Sequence, residues 1–277
     1  MTYILFNPLS NGGDGAKGVS AILEELKPEI PEVMDLTSID TAAFLRGLSA
    51  ADRVILSGGD GTVHRLVNDL QGQDAGVPIY VWRFGTGNDF LRDAAAKDQK
   101  MLLLNDHLGR LPAARLSTGE TRYFLNGCSL GVDAVVCGMM DDNRLAPKKS
   151  GYAATALRSF FRKYKPVSGR VTVDGTTRRY DRIWMAAAMN GRYQGGGMKF
   201  APDQDRNGDT LTCMVWSGTS ALGTLLRFPF VIPGRHTGFA ACDIRVGREI
   251  TVELDEPTML QMDGEVLTGV TGYTARK

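Results

Sequence analysis

Two short runs of glycine, hydroxyl and carboxylate carry the chemistry most visible in this chain. In Ile55-Leu56-Ser57-Gly58-Gly59-Asp60-Gly61-Thr62, apolar residues lead into three glycines, one acid and one threonine. Val63, Leu66, Val67 and Leu70 then recur at helical spacing, so the run reads as strand, tight turn, helix. Such a turn aims backbone N–H groups and the positive end of a helix dipole at one spot, which suits phosphate. Side chains at 58, 59 and 61 would hold an anion away, and glycine also permits positive φ. Asp60 repels phosphate by itself, and makes chemical sense with a divalent cation or a water in between. A second run follows about one βα unit later. Ile79-Tyr80-Val81-Trp82 reads as a strand, Gly85-Thr86-Gly87-Asn88-Asp89 as a turn, and Phe90-Leu91 as the start of a helix. One Gly-Asp-Gly turn equally suits an ordinary connection; two of the same chemistry at strand ends predict a ligand crevice.

The elements that must position these turns alternate. Strands read at 3–6, 32–36, 53–57 and 78–83, and helices at about 16–30, 40–49, 62–71 and 88–96, the pattern of a doubly wound parallel sheet. The pattern changes near Pro112, and from Tyr123 short strands dominate. Asp174-Gly175, between Arg170-Val171-Thr172-Val173 and a Thr/Arg-rich run, is a hairpin signal. Ile183–Met189, Thr210–Trp216, Cys242–Val246, Glu249–Leu254 and Met259–Met262 add further strands. The expectation is a doubly wound α/β domain over 1–113 and a largely antiparallel β domain over 114–277, whose last residues could return to the first.

The 277 residues suffice for one large or two ordinary domains. Hydrophobic content of 43% and charged content of 23% are those of a globular protein. A net charge of +1 gives no electrostatic case for nucleic acid. Met1-Thr2-Tyr3-Ile4-Leu5-Phe6 has no basic n-region or cleavage site and reads as a first strand. No apolar run approaches membrane-spanning length. Cys128, Cys137, Cys213 and Cys242 show no CxxC spacing and read as thiols of a reduced, cytoplasmic setting.

Taken together, the motifs resemble the diacylglycerol kinase catalytic domain family. The resemblance rests on Gly58-Gly59-Asp60-Gly61-Thr62, on Phe84-Gly85-Thr86-Gly87-Asn88-Asp89-Phe90, and on Tyr123-Phe124-Leu125-Asn126 with Gly131, Asp133 and Ala134. Gly195-Gly196-Gly197-Met198 with Ala201-Pro202, and Asp263-Gly264-Glu265, continue it in order, and Asn7-Pro8 fits the opening. The family includes bacterial lipid kinases and sphingosine kinases, and is similar in its nucleotide domain to NAD kinases. The resemblance implies an ATP-dependent, Mg²⁺-requiring lipid kinase, with a β-sandwich second domain and an active site in the cleft between domains. It also implies peripheral contact with the inner membrane face, while a homodimer stays open.

Phosphoryl transfer asks for positioning and for cancellation of charge. Backbone donors of Gly58, Gly59, Gly61, Gly85 and Gly87, with the Thr62 and Thr86 hydroxyls and Asn88, are candidates for phosphate binding. Asn7, Thr37 and Asn68 are softer candidates for the nucleotide. Asp60 and Asp89 are the carboxylates best placed for Mg²⁺. The resemblance makes Glu265 the general base at the acceptor hydroxyl, whereas Asp263-Gly264-Glu265 alone reads as a hairpin turn. It also suggests a second, structural Mg²⁺ near Asp203–Asp209, with Asp209 as one ligand; a solvated loop is the plainer reading.

Two departures matter. Family members often carry an Asp where this chain has Arg115, and the usual proline before the Gly-Thr-Gly turn is replaced by Arg83-Phe84, where Arg83 would set a positive charge near bound phosphates. Gly13-Asp14-Gly15-Ala16-Lys17-Gly18 spells a dinucleotide fingerprint, but Asn7–Gly12 separates it from its strand. The basic, aromatic stretch Ala153–Lys165 and apolar Leu222–Phe230 suit either an anionic interface or ordinary helix packing. His64, His107 and His236 show no metal-ligand spacing. The competing functions are a kinase of a soluble acceptor such as NAD, and a nucleotide-binding protein with little transferase activity, the latter motivated by Arg115.

Overall fold

The computed structural model describes residues 1–13, 15–84, 88–144 and 164–277. Two compact units divide at Leu111/Pro112.

The first unit, Met1–Leu111, is built on a five-stranded sheet. β1 (Thr2–Phe6), β2 (Glu32–Asp35), β3 (Arg53–Ser57), β4 (Ile79–Trp82) and β5 (Met101–Leu103) lie in the order β2-β1-β3-β4-β5. The four expected strands are parallel; β5, which the sequence reading lacked, runs antiparallel to β4. The sheet is therefore mixed and mostly parallel. Helices α1 (Ser10–Gly13), α2 (Gly15–Glu25), α3 (Thr41–Arg46), α4 (Asp60–Asp69) and α5 (Asp89–Ala94) connect the strands. α3 and α5 are shorter than their periodicity suggests. Asp40 caps the N–H of Ala43 at the start of α3, and Gly47 closes its end onto the carbonyls of Ala43 and Phe44. Ile4 and Ile55 pack with Trp82 against Val19 and Ile22 of α2; their neighbours Leu5, Val54 and Leu56, also fully buried, turn to the opposite face.

The fingerprint-like glycines serve this packing. A Cβ at Gly15 would strike the Asn7 carbonyl, and one at Gly18 would strike the Ser57 hydroxyl and the Phe84 ring. They let α2 lie tight against the ends of β1 and β3. Asp14 lies outside the described residues.

The second unit, Pro112–Lys277, is antiparallel. Its strands are β6 (Ala113–Leu116), β7 (Thr121–Tyr123), β8 (Gly127–Gly131), β9 (Val167–Val173), β10 (Thr176–Met189), β11 (Leu211–Ser217), β12 (Cys242–Gly247), β13 (Glu249–Met262) and β14 (Glu265–Arg276). The path runs β12-β11-β10-β8-β13-β14-β6-β7, and β9 pairs with both β10 and β13. Since β8 also bridges β10 and β13, these four strands form a closed ring of pairings. Side chains such as Leu130, Val171, Ala188, Val252 and Leu260 fill its fully buried core. Helix α6 (Val132–Arg144) follows β8.

Asp174 (φ 46°) and Gly175 (φ 79°) make the expected two-residue hairpin between β9 and β10. The expected strands at 249–254 and 259–262 are one strand, whose register shifts around Pro257, a residue with no N–H for the ladder. β14, absent from the sequence reading, places Glu265–Arg276 between β13 and β6. Tyr123-Phe124-Leu125-Asn126 is only partly a strand: β7 ends at Tyr123 and the chain bends before β8. Cys128, Cys213 and Cys242 are buried thiols, and all four cysteines are free. Among the described residues, no helix is long and apolar enough to cross a membrane.

Candidate functional site

β3 is buried along Val54–Ser57 and delivers the chain into Gly58-Gly59 at its C-terminal end. Gly59 is the N-cap of α4, extended at φ −85° and ψ −172°, and no side chain caps the helix. The expectation of positive φ here is corrected: none of Gly58, Gly59 and Gly61 adopts it. Only Gly58 is required sterically. A Cβ on Gly58 would collide with the Thr62 side chain, which folds back over the turn. A Cβ on Gly59 or Gly61 would meet nothing within 4 Å, so the backbone is bare at the start of α4. Within α4, Asn68 Nδ2 donates to the His64 carbonyl at 2.9 Å, and His64 is buried.

Asp60 sits in the first turn of α4 and reaches the start of α5. Its carboxylate accepts from the Asp89 N–H at 2.7 Å and from the Phe90 N–H at 3.0 Å. It thereby caps α5, whose own N-cap residue, Asn88, is left-handed at φ 48° and offers no side-chain cap. The structure thus brings Asp60, Asn88 and Asp89 together, with Asn88 and Asp89 buried. Gly85, Thr86 and Gly87 lie outside the described residues.

Asn7 follows β1 directly and its N–H donates to the Ser57 carbonyl at the end of β3; its Oδ1 accepts from Leu9 N at 2.9 Å. Thr37 donates its hydroxyl to Asp35 at 2.7 Å in an exposed turn. Arg83 is committed elsewhere than to phosphate: its guanidinium donates to the carbonyls of Leu91, Ala96 and Gln99 at 3.1–3.2 Å.

In the second unit, Asp263 (φ 51°) and Gly264 (φ 98°) are the turn joining β13 to β14. The motif is a tight hairpin, and it does more than turn the chain. The buried Asp263 carboxylate accepts from the N–H groups of Leu125 at 2.6 Å, Asn126 at 2.7 Å and Gly127 at 3.2 Å. Glu265, first residue of β14, is 45% exposed and faces Arg122 at 3.4 Å.

Behind the hairpin lies a buried polar cluster that the sequence reading missed. Asp133, in the first turn of α6, accepts from Ser129, from Gln194 Nε2 at 3.1 Å and from Gln261 Nε2 at 3.1 Å. Gln261 Oε1 in turn accepts from Gly264 N at 3.0 Å. Burial pushes the Asp133 carboxyl up to about 6, against the lowering effect of its donors. Gln194 opens the Gly195-Gly196-Gly197 turn, in which all three residues have positive φ (68°, 84° and 105°), a run suited to glycine. The available signal was Asp133 four residues after Ser129 across a strand-to-helix junction; nothing marked Gln194 or Gln261.

The acidic loop keeps Asp203, Asp205 and Asp209 exposed, as the solvated-loop reading expects, but two other side chains anchor it. Gln204 and Arg206 are buried, and Arg206 holds the Leu125 carbonyl at 2.5 Å and Asn126 Oδ1 at 2.8 Å. Asp209 is 83% exposed and pairs with Arg248 at 3.5 Å. Arg115 is exposed on β6, opposite Thr121 of β7 and Thr274 of β14. No group of three or more His, Cys, Asp or Glu side chains among the described residues is arranged to hold a metal ion.

Residues 1–112 match the model of the diacylglycerol kinase catalytic domain, and residues 126–275 match that of the YegS C-terminal NAD kinase beta sandwich-like domain. The chain belongs to the bacterial lipid kinase and diacylglycerol kinase family, a family of ATP-using phosphotransferases. A diacylglycerol kinase of Mycobacterium tuberculosis is 25% identical over 265 residues, spanning 91% of this chain and 84% of that protein. A diacylglycerol kinase of Bacillus subtilis is 22% identical over 274 residues, spanning 95% and 88%. The crystal structure of a diacylglycerol kinase from Bacillus anthracis superposes with a TM-score of 0.63 at 17% identity, covering 99% of this chain and 92% of that one; it shares the fold.

Proposed function

We propose that this protein transfers the γ-phosphoryl group of ATP to a lipid hydroxyl, with diacylglycerol or a close relative as acceptor. The observation that carries the reading is the N-terminus of α4, capped by no side chain and open at Gly59 and Gly61, with Asp60 on its first turn, in a chain of this family. The N–H groups of the Gly58–Gly61 turn and the Thr62 hydroxyl hold phosphate oxygens, aided by the second turn over Gly85–Asn88. Asn7, Thr37 and Asn68 are assigned to the nucleotide.

Magnesium binds through one or two carboxylates, several waters and the substrate's phosphates, and supplies charge cancellation. Asp60 and Asp89, adjacent across the two turns, fit that donor set. Asp209, held by Arg248, is given no part in it. Glu265 takes the proton of the acceptor hydroxyl. That oxygen attacks the γ-phosphorus, the bond to the β–γ bridging oxygen breaks, and ADP leaves. Contact with the bilayer is peripheral, on the cytoplasmic face.

The test is incubation with γ-labelled Mg-ATP and mixed micelles of diacylglycerol, monoacylglycerol, ceramide, sphingosine and phosphatidylglycerol, with NAD in a parallel tube. A labelled lipid is expected, and Glu265→Gln is expected to cut its formation by about 10²–10⁴-fold. Label in NAD moves the chain to a soluble acceptor. ATP binding with no product anywhere sinks the kinase reading and favours a weakened transferase; Arg115→Asp should then restore turnover.

A further inference from the structure

The second unit carries an apolar ridge for which phosphoryl transfer has no use. One face of β10 and β11 buries Trp184, Met185, Met214 and Trp216. The segment 219–239 covers that face as a helix, Ala221–Arg227, followed by 3-10 turns at Phe228–Val231 and Arg235–Gly238. Leu225, Phe228 and Phe239 pack into the cluster, and Val231 is fully buried. Ser220 caps the helix through Gly223 N at 3.1 Å, and the buried His236 ring stacks on Trp216 with centroids 6.3 Å apart. The segment is therefore seated firmly by its inner side.

Its outer side stays in solvent. Leu222 is 65% exposed, Leu226 64%, Phe230 44% and Ile232 59%. Leu222 and Leu226 share a helix face at i, i+4, and the inner anchors prevent the ridge from turning inward. A lone exposed leucine is ordinary, but four large apolar side chains in so short a segment form a patch that calls for a partner. The charge carried by the segment itself has one sign. Arg227 and Arg235 are exposed, and no Asp or Glu occurs from Thr210 to Cys242.

We infer that this ridge seats the protein on an anionic bilayer. Leu222, Leu226, Phe230 and Ile232 enter the boundary between headgroups and acyl chains, while Arg227 and Arg235 meet lipid phosphates. The choice of a bilayer rests on the lipid-kinase reading and deepens it. The charge argues against a second copy, because a twofold contact would bring like arginines together with no acid of the segment between them.

The test is co-sedimentation with phosphatidylglycerol/phosphatidylcholine vesicles and with pure phosphatidylcholine vesicles, without ATP. The protein should sediment with the anionic vesicles, less so at high salt. Leu222→Glu/Leu226→Glu and Arg227→Glu/Arg235→Glu should each lower the bound fraction at least about tenfold. Thermal unfolding of both variants should match the parent; if either fails to fold, Leu226→Gln decides, with a loss of about threefold. Equal binding by the variants, equal binding to the neutral vesicles, or no binding by the parent overturns the inference. So does a dimer in solution that Leu222→Glu/Leu226→Glu dissolves, because the ridge is then a face between copies. A protein that binds vesicles through the ridge yet phosphorylates no lipid would sink the kinase reading and leave this one standing.

Discussion

Asp60 in the first unit and Asp263 in the second each offer a carboxylate to consecutive backbone N–H groups of a segment distant along the chain. Asp60 takes Asp89 and Phe90, and Asp263 takes Leu125, Asn126 and Gly127. Their surroundings differ. Asp60 is half-buried, on a helix N-terminus whose glycines meet open space. Asp263 is buried in a hairpin backed by Gln261 and Asp133. The same device therefore ties an open glycine turn to the start of α5 in one unit and locks a hairpin into the core in the other. Stability should depend on the second, and ligand binding on the first.

Asp263→Ala should break this contrast most severely. It strands three buried N–H groups, and losing charge-assisted bonds of that kind costs about 4 kcal/mol in total. A large fall in the denaturant midpoint is expected, and an unchanged midpoint would reduce Asp263 to a turn residue.

Asp133 sharpens the point through pH. Its folded-state value of about 6 lies above the ordinary 3.8, so the native state binds more protons than the unfolded chain between those values. Its contribution is fully present below about pH 4 and is lost as pH rises through about 6, a swing of about 3 kcal/mol. Asp133→Asn should flatten the stability curve between pH 4 and 6, and an unchanged curve would place the titration elsewhere.

Within the first turn the contrast runs between neighbouring glycines. Gly58→Ala forces a methyl against Thr62 and should cost about 1–3 kcal/mol of stability. Gly59→Ala meets nothing, so its unfolding midpoint should stay close to that of the parent while its affinity for ATP, measured by calorimetry, falls. Equal ATP affinity in Gly59→Ala would remove the phosphate role from that turn.

The sequence showed the first unit better than the second, for reasons visible in particular residues. Buried parallel strands are apolar runs ended by glycine, as Val54–Gly58 illustrates, so four of five strands were legible. β5 is three residues long, too short for a period to register. In the second unit, Pro257 and a register shift split β13 into two apparent strands. β14 hid because Leu267, Val270 and Tyr273 do not alternate strictly with polar residues. The candidate carboxylates Asp60, Asp89 and Glu265 stood out by motif. What Asp60 and Asp263 hold did not, because their partners are backbone N–H groups, which every residue but proline carries. Gln194 and Gln261 were silent for a similar reason: an amide in a core has no spacing rule, and only the fold brings it to Asp133.

The ties of Asp263 to Leu125–Gly127 span 136–138 residues, and β14 pairs with β6 across a similar separation. Contacts so far apart in sequence close large loops before they return any free energy, which makes folding slow. During synthesis, β6, β7 and β8 leave the ribosome long before the hairpin that completes their hydrogen bonding. The N–H groups of Leu125–Gly127 and the edges of β6 and β8 stay unmatched through that interval. The second unit is thus most exposed to misassociation while it is nearly, but not wholly, translated.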